Sequence, residues 1–545
     1  MREQRLYFFY GVLIIGLLGL LGRLFELQII FGAKNRSLAE GNRIKKEILP
    51  APRGMIYDRN GKELVRNIPV YRQKVSGDKC PKAEKECFAL ISREQALSLE
   101  SKGEEENLRV DIGREYLYGE VLAHVLGYLG EANQKEVEDG NFHLGDLVGR
   151  GGTEESYDAL LRGKDGGEIY EVDAQGRKIR AIGRTEPVPG QDLHLSLDTG
   201  LSQTAFEAME GKTGAVVVTR SEDSQILVLL SRPSFDPNLM SRLKDSQSDD
   251  FASEQSRLQS FLEDPGKPFF NRAISGVYPP GSTFKIVTAV AGLEEGKINQ
   301  ETLWNDTGEI RVGDYSYKNW YFTQYGRTEG EINVVGALKR STDTFFYKVG
   351  EWVGPTRLAD WAKAFGLGQK TKIDLPNEAE GLVPSPEWKQ QKGDHWFLGN
   401  TYHFAIGQGD LLTTPLQINL LTGVIASGGH FCQPQILKEE KSKAACHDLP
   451  LKKETLELVK QGLVAVCSTG GTAYPFFDFS PQVACKTGTA EFGDPENKTH
   501  AWLTSFAPVE KPELSVTVLV EKGGEGSAVA APVARKIMED WFGED

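Results

Sequence analysis

The sequence predicts an α+β protein held to a membrane by one N-terminal helix, with a C-terminal half built on an antiparallel sheet flanked by helices. Three observations carry this expectation. Residues 6–22 contain no charge and follow Arg2 and Arg5. The run STFKIVTAVAGL, starting at Ser282, is apolar on nearly every side, as a buried helix is. The strand-like runs HAWLTSFAPV and LSVTVLVEKG follow one another across a short connection, which implies antiparallel pairing.

The N-terminal stretch comes first. Residues 6–22 alone are at the short end for a membrane span, but apolar character resumes after Arg23 and Glu26 and continues to Phe31. Those two charges are three residues apart and can pair or snorkel at the boundary, so residues 1–31 read as a short tail and a transmembrane helix. The basic start predicts a cytoplasmic N-terminus. The expected location is therefore the plasma (inner) membrane, single-pass, with everything after about Gly32 extracytoplasmic. A cleaved signal peptide is the alternative, but the apolar stretch is long for one and no clean small-x-small site follows it. Outside the cytoplasm the six cysteines can be oxidised. The most local pairs are Cys80 with Cys87 and Cys432 with Cys446; a bridge between Cys467 and Cys485 would brace the segment next to Lys486, and unpaired buried thiols are an equal alternative.

A chain of 545 residues has room for two or three domains. The net charge of −14 is spread along the chain rather than blocked, which argues against a nucleic-acid partner. Residues 32–190 mix strand-like pieces, charged linkers such as SKGEEEN and a helix around residues 155–162. The break falls in TEPVPGQDL, residues 185–193, where Pro and Gly punctuate before LHLSLD. Residues 191–545 then read as helix, strand, the buried helix, further helices, a strand around Lys486, two more strands and a closing helix over residues 532–542.

Chemistry concentrates where VYPPGSTFK releases a proline-stiffened chain into the buried helix. Ser282 and Lys285 are three apart and share a helix face, in a first turn where unpaired N–H groups and the positive dipole end gather. An amine whose pKa is lowered by burial can take a proton from the serine hydroxyl, and free N–H groups can hold an oxyanion. The bland alternative is a helix-capping serine and a surface lysine. Ser76 with Lys79 and Ser241 with Lys244 repeat the spacing in polar, Asp-containing segments with no buried helix behind them. Two further motifs follow in order. Ser341, Thr342 and Asp343 interrupt the helical NVVGALKRSTDTFFYKVG, and Lys486, Thr487, Gly488 and Thr489 follow the apolar run QVAC. Strand parity places Thr487 and Thr489 on one face, and the glycine between them admits a close backbone or ligand. The same triplet at Lys212, Thr213 and Gly214 reads as a helix-to-strand turn.

Serine-x-x-lysine, a serine triplet and lysine-threonine-glycine, in that order, form the set found in penicillin-binding proteins and class A β-lactamases. The surrounding words NRAISGVYPPGSTFK, STDTFFYKVG, AIGQGDLLTTPLQ and KTGTAE, with RGMIYDRNGKELVRN and GDLVGRGGTEESYDALLRG upstream, resemble the class B, monofunctional penicillin-binding proteins. YPPGSTFK and DTFFY are similar to the elongation branch, penicillin-binding protein 2. The resemblance implies an elongated pedestal (dimerisation-type) domain over residues 32–190, and a serine β-lactamase-like transpeptidase domain over residues 191–545. It implies a serine-type D-Ala-D-Ala transpeptidase that cross-links peptidoglycan stem peptides through an acyl-serine. β-Lactam antibiotics would then bind, and a SEDS-family glycan polymerase in the same membrane would be its partner. Carried over, Ser282 is the nucleophile and Lys285 its proton acceptor. Ser341 relays the proton and Lys486 polarises it. Thr487 and Thr489 bind the terminal carboxylate, with Gly488 between them, and the N–H groups of Ser282 and Thr489 form the oxyanion hole.

Two departures stand out. Much of the family ends the middle triplet in Asn, whereas Asp343, when ionised, only accepts hydrogen bonds and favours charged forms of nearby lysines; Asp343 is kept among the substrate-binding residues with its role open. Some elongation-branch proteins hold zinc between the first two motifs, yet residues 305–333 contain neither Cys nor His, the ligands zinc prefers. No metal and no cofactor are expected. One rival reading is a β-lactam or D-Ala-D-Ala hydrolase on the same site, which needs a second base for water; Glu387 in PSPEWK is a candidate by residue type alone. Another is a non-catalytic activator of a glycan polymerase, which the intact motifs argue against.

Overall fold

The computed structural model describes residues 2–34, 43–75, 87–104, 107–139, 142, 146–173, 178–240, 259–438 and 445–543. Two compact units emerge, one of residues 1–54 and 159–191 and one of residues 55–158 and 192–545.

The smaller unit holds an apolar helix, Arg2–Phe25, continued by a wider turn, Glu26–Ile30. Leu6–Ile30 is long and apolar enough to cross a membrane, and none of its side chains is buried by protein. Arg23 Nη1 and Glu26 Oε2 pair at 2.5 Å, as their spacing predicts. The same unit contains a three-stranded antiparallel sheet in which Gly166–Val172 lies between Ile44–Leu49 and Lys178–Thr185.

The larger unit begins with a second sheet. Its long strand Glu63–Val75 pairs with Leu108–Tyr116 and Cys87–Ile91, and Ser92 caps the following helix Arg93–Ser101 reciprocally with Gln95. The helix expected over residues 155–162 is two short ones, Gly152–Ser156 and Asp158–Leu161, and LHLSLD forms strand only at Leu193–His194.

The C-terminal half is organised on a five-stranded antiparallel sheet. Its order runs Ile226–Arg232, Gly214–Arg220, Leu514–Val520, Thr499–Ala507 and, at one edge, Ala484–Glu491. Every residue of Leu514–Val520 is buried, so this sheet is covered on both faces. One face carries Thr199–Ala208 and the closing helix Gly526–Phe542, packed through Leu201, Met209, Ile537 and Met538. The opposite helices share a core built from Phe284, Ile286, Val290, Phe345, Leu421 and Val459. The closing helix starts earlier than residue 532 and takes Pro532 into its interior. Lys212 and Thr213 form the turn before the Gly214–Arg220 strand.

Candidate active site

Ser282 sits in a 3₁₀ turn, Gly281–Phe284, and the α-helix begins only at Lys285. The sequence reading that Ser282 opens the α-helix is thus displaced by one tight turn. Two close approaches shape it. Gly281 adopts φ +54° and its N–H donates to the Gly407 carbonyl at 2.9 Å; a Cβ on Gly407, itself at φ +77°, would lie 2.1 Å from the Gly281 oxygen. From the other side, a Cβ on Gly488 would stand 3.1 Å from the Pro280 oxygen and 3.1 Å from Thr283 Cγ2. The glycine of the third motif therefore admits the backbone of the first.

Helical continuity does not hold through the second motif: NVVGALKRSTDTFFYKVG is two helices, Val334–Arg340 and Asp343–Val353. Ser341 separates them in the left-handed region, φ +56°, a conformation uncommon outside glycine and a recurrent feature of functional sites. The turn delivers the Ser341 hydroxyl between two amines. Lys486 Nζ donates to Ser341 Oγ at 2.9 Å and to the Thr487 carbonyl at 3.0 Å. Lys285 Nζ lies 3.2 Å from the same Oγ, and donates to the Ser341 carbonyl at 2.7 Å and to Asp343 Oδ1 at 2.6 Å. Both lysines are fully buried. Among the described residues Lys285 makes no hydrogen bond to Ser282, although the two lie one turn apart.

Burial pushes the Lys285 amine below the ordinary lysine value, against the Asp343 carboxylate, which pulls it up. Burial pushes Lys486 down further, with the Lys285 charge adding to the effect and Asp343 opposing it. Two amines around one hydroxyl thus favour at least one unprotonated lysine. Asp343 has a defined place here. Its Oδ2 accepts from the Trp320 N–H at 2.9 Å, while Oδ1 holds Lys285.

Thr487 is buried, and its Oγ1 meets Thr472 Oγ1 at 2.7 Å; Thr489, on the same face, is exposed. The Lys486 strand is a sheet edge. In the amide orientation that satisfies both ends, Gln408 receives the Glu491 N–H at 3.1 Å and donates to the Glu491 carbonyl at 3.2 Å. Backbone groups alternate sides along an antiparallel strand, so those of Thr489 face the same open edge. Thr472 and Gln408 escaped the sequence reading; Gln408 lay inside the quoted AIGQGD run without an assigned job. Cys467 and Cys485 are bridged, as are Cys432 and Cys446. Cys80 lies outside the described residues, as do Ser76, Lys79, Ser241 and Lys244. Glu387 lies in the first turn of Pro386–Gln391 and forms no hydrogen bond to this cluster among the described residues. Nor do the described residues contain a group of three or more His, Cys, Asp or Glu side chains able to hold a metal ion.

Residues 214–539 match the family described as the penicillin binding protein transpeptidase domain, and residues 89–195 match the penicillin-binding protein dimerisation domain. The chain belongs to the penicillin-binding protein family. It is 32% identical to the peptidoglycan D,D-transpeptidase MrdA of Acinetobacter baumannii, over 99% of this chain and 87% of that protein. It is also 32% identical to MrdA of Escherichia coli K12, over 98% of this chain and 93% of that one. Among solved structures, the penicillin-binding protein 2 (PBP2) of Helicobacter pylori in complex with MreC superposes with a TM-score of 0.80 at 29% identity, covering 92% of this chain and 98% of that chain. A peptidoglycan synthase complex that coordinates polymerization and crosslinking gives 0.79 at 30% identity, over 100% and 99%. As a penicillin-binding protein of the PBP2 type, the chain has both of the family's domains and an N-terminal apolar helix.

Proposed function

We propose that Ser282 is the acyl-accepting nucleophile of this elongation-type peptidoglycan D,D-transpeptidase. The observation that carries the reading is the Ser341 hydroxyl held between the buried amines of Lys285 and Lys486, with Lys285 one turn along the chain from Ser282. In its unprotonated form Lys285 takes the Ser282 proton as Oγ attacks the carbonyl carbon of the penultimate D-Ala. The oxyanion is received by the N–H groups of Ser282 and Thr489, each donor contributing roughly 3–4 kcal/mol to the transition state. As the peptide bond breaks, the departing amine of the last D-Ala takes a proton through Ser341 Oγ, which Lys486 keeps polarised. An amine of a neighbouring stem peptide then attacks the acyl-serine; its proton returns by the same relay and Ser282 is released. Thr487 and Thr489, with Gly488 between them, receive the terminal carboxylate. Asp343 steadies Lys285 rather than touching substrate. β-Lactams enter the same site as acylating agents.

The chain is a single-pass membrane protein by its one apolar helix among the described residues. We place its N-terminus in the cytoplasm, from Arg2 and Arg5, and assign residues 32–190 to the pedestal and 191–545 to catalysis. The synthase complex it resembles supports a SEDS-family glycan polymerase as its partner in the membrane.

The test is the intact mass of the full chain in detergent after brief exposure to a penicillin, beside Ser282→Ala. A lasting adduct of one drug mass on the wild type alone supports the acyl-serine. Rapid loss of the adduct with hydrolysis of free drug would instead make the site a hydrolase, and no adduct on either protein would overturn the assigned site.

A further inference from the structure

Asp343 reaches Lys285 from a position that something must hold, and the structure contains a buried polar device for it outside the three motifs. Asn319 is fully buried and Asp306 nearly so. Asn319 Oδ1 accepts the N–H of Asp343 at 3.1 Å, and the next backbone N–H, that of Trp320, donates to Asp343 Oδ2 at 2.9 Å. Two adjacent residues therefore grip Asp343 by its main chain and its carboxylate together. Asn319 is oriented in turn by Asp306, whose Oδ2 accepts from Asn319 Nδ2 at 3.0 Å and from the Glu329 N–H at 2.9 Å. Asp306 Oδ1 accepts from Thr344 Oγ1 at 2.7 Å and from the Gly308 N–H at 3.0 Å. The Asp306 carboxylate can only accept, so it decides which way round the Asn319 amide lies. With Nδ2 turned to Asp306, Oδ1 is left facing the Asp343 N–H.

We propose that Asp306 and Asn319 are positioning residues for the transpeptidase reaction, forming a buried clamp that holds the Asp343 carboxylate against the Lys285 amine. Neither touches substrate. Two features separate the clamp from ordinary packing. The hydrogen bonds that Asp306 accepts come from groups around the second motif and the segment facing it, and the far end of the chain is the amine proposed as the proton acceptor. An amide and a carboxylate are also directional where apolar filling would not be. The proposal rests on Lys285 being that acceptor, and the test keeps the two apart.

The test compares Asp306→Asn, Asn319→Asp and the two combined, in the full chain, by the second-order rate of acylation with a fluorescent penicillin and by thermal melting. Each single change nearly preserves shape but sets donor against donor or carboxylate against carboxylate; the combined change restores a donor–acceptor pair with roles exchanged. Acylation is expected to fall at least tenfold in each single variant and to recover at least threefold in the combined one. The acid limb of the rate profile should also move to lower pH in Asp306→Asn, because Lys285 loses the carboxylate that raises its pKa; Asn319→Asp brings a carboxylate of its own and is read by rate alone. The other charge facing it, Lys486 on the edge strand, is unchanged. Single variants that acylate within twofold of wild type, a combined variant no better than the worse single, or singles that fail to fold would each overturn the clamp. Absence of acylation in the wild type itself would overturn the reading of Ser282 and Lys285 instead.

Discussion

At the scale of residues, the site is a contest over one proton. Burial lowers both lysines, while Asp343 holds Lys285 up. An unprotonated acceptor means that acylation gains rate as pH rises through the Lys285 pKa, on a limb displaced below the ordinary lysine value of 10.5. Asp343→Asn removes the influence that raises that pKa. Its acid limb should therefore move to lower pH even as the plateau falls, which acylation rates measured from about pH 5 to 9 will show; a limb moved to higher pH would contradict the balance. Ser341→Ala tests the relay separately. It deletes the oxygen that both amines share, and the lost proton transfer should lower acylation roughly 10²–10⁴-fold while melting changes by no more than a few degrees. The sequence made Ser282, Lys285, Ser341 and Lys486 legible because each motif is local. It concealed what Asp343 does, since its partners Asn319 and Trp320, and Asp306 behind Asn319, are remote in sequence and carry no motif.

At the scale of elements, the site depends on how closely the Ser282 turn can be approached from two sides. Gly407 allows one approach and Gly488 the other. A methyl group at Gly407 would collide with the Gly281 carbonyl at 2.1 Å and must also hold φ +77°. At Gly488 the nearest neighbours stand at 3.0–3.1 Å and can yield slightly. Gly407→Ala should accordingly cost more acylation than Gly488→Ala, on the order of 100-fold for a displacement of about 1 Å, and the ranking is read directly from rates of penicillin adduct formation. The Cys467–Cys485 bridge closes a sequence separation of 18 residues onto the Lys486 strand, a loop that in the chain-entropy picture contributes about 3 kcal/mol. Most elements were legible from apolar periodicity, including the three strands from residue 484 onward. The break at Ser341 was not, because its left-handed turn is imposed by contacts across the site rather than by a glycine or proline that a reader could see.

At the scale of the larger unit, residues 55–158 are joined to the catalytic half by hydrogen bonds that composition could not reveal. Asn238 exchanges bonds of 2.9 Å with both the N–H and the carbonyl of Tyr116, Thr199 Oγ1 donates to Asp58 Oδ2 at 2.7 Å, and Tyr157 donates to Asp374 at 2.5 Å. His124 lies in this seam, buried, with Nε2 at 2.8 Å from the Pro268 carbonyl and its ring edge-on to Phe235 at 5.4 Å. Burial is the main reason its pKa drops to about 4, with Arg272 adding to the effect and the Pro268 bond opposing it. Unfolded, the same imidazole titrates near 6.5, so between the two values the unfolded chain binds the extra proton. Stability from this residue is thus complete above about pH 6.5 and is lost as pH falls toward 4. The full difference corresponds to about 3 kcal/mol. Melting of the wild type should fall across that window, and His124→Gln, which keeps a donor for Pro268 but does not titrate, should flatten the fall. An unchanged slope in that variant would mean that the acid sensitivity of the seam resides elsewhere.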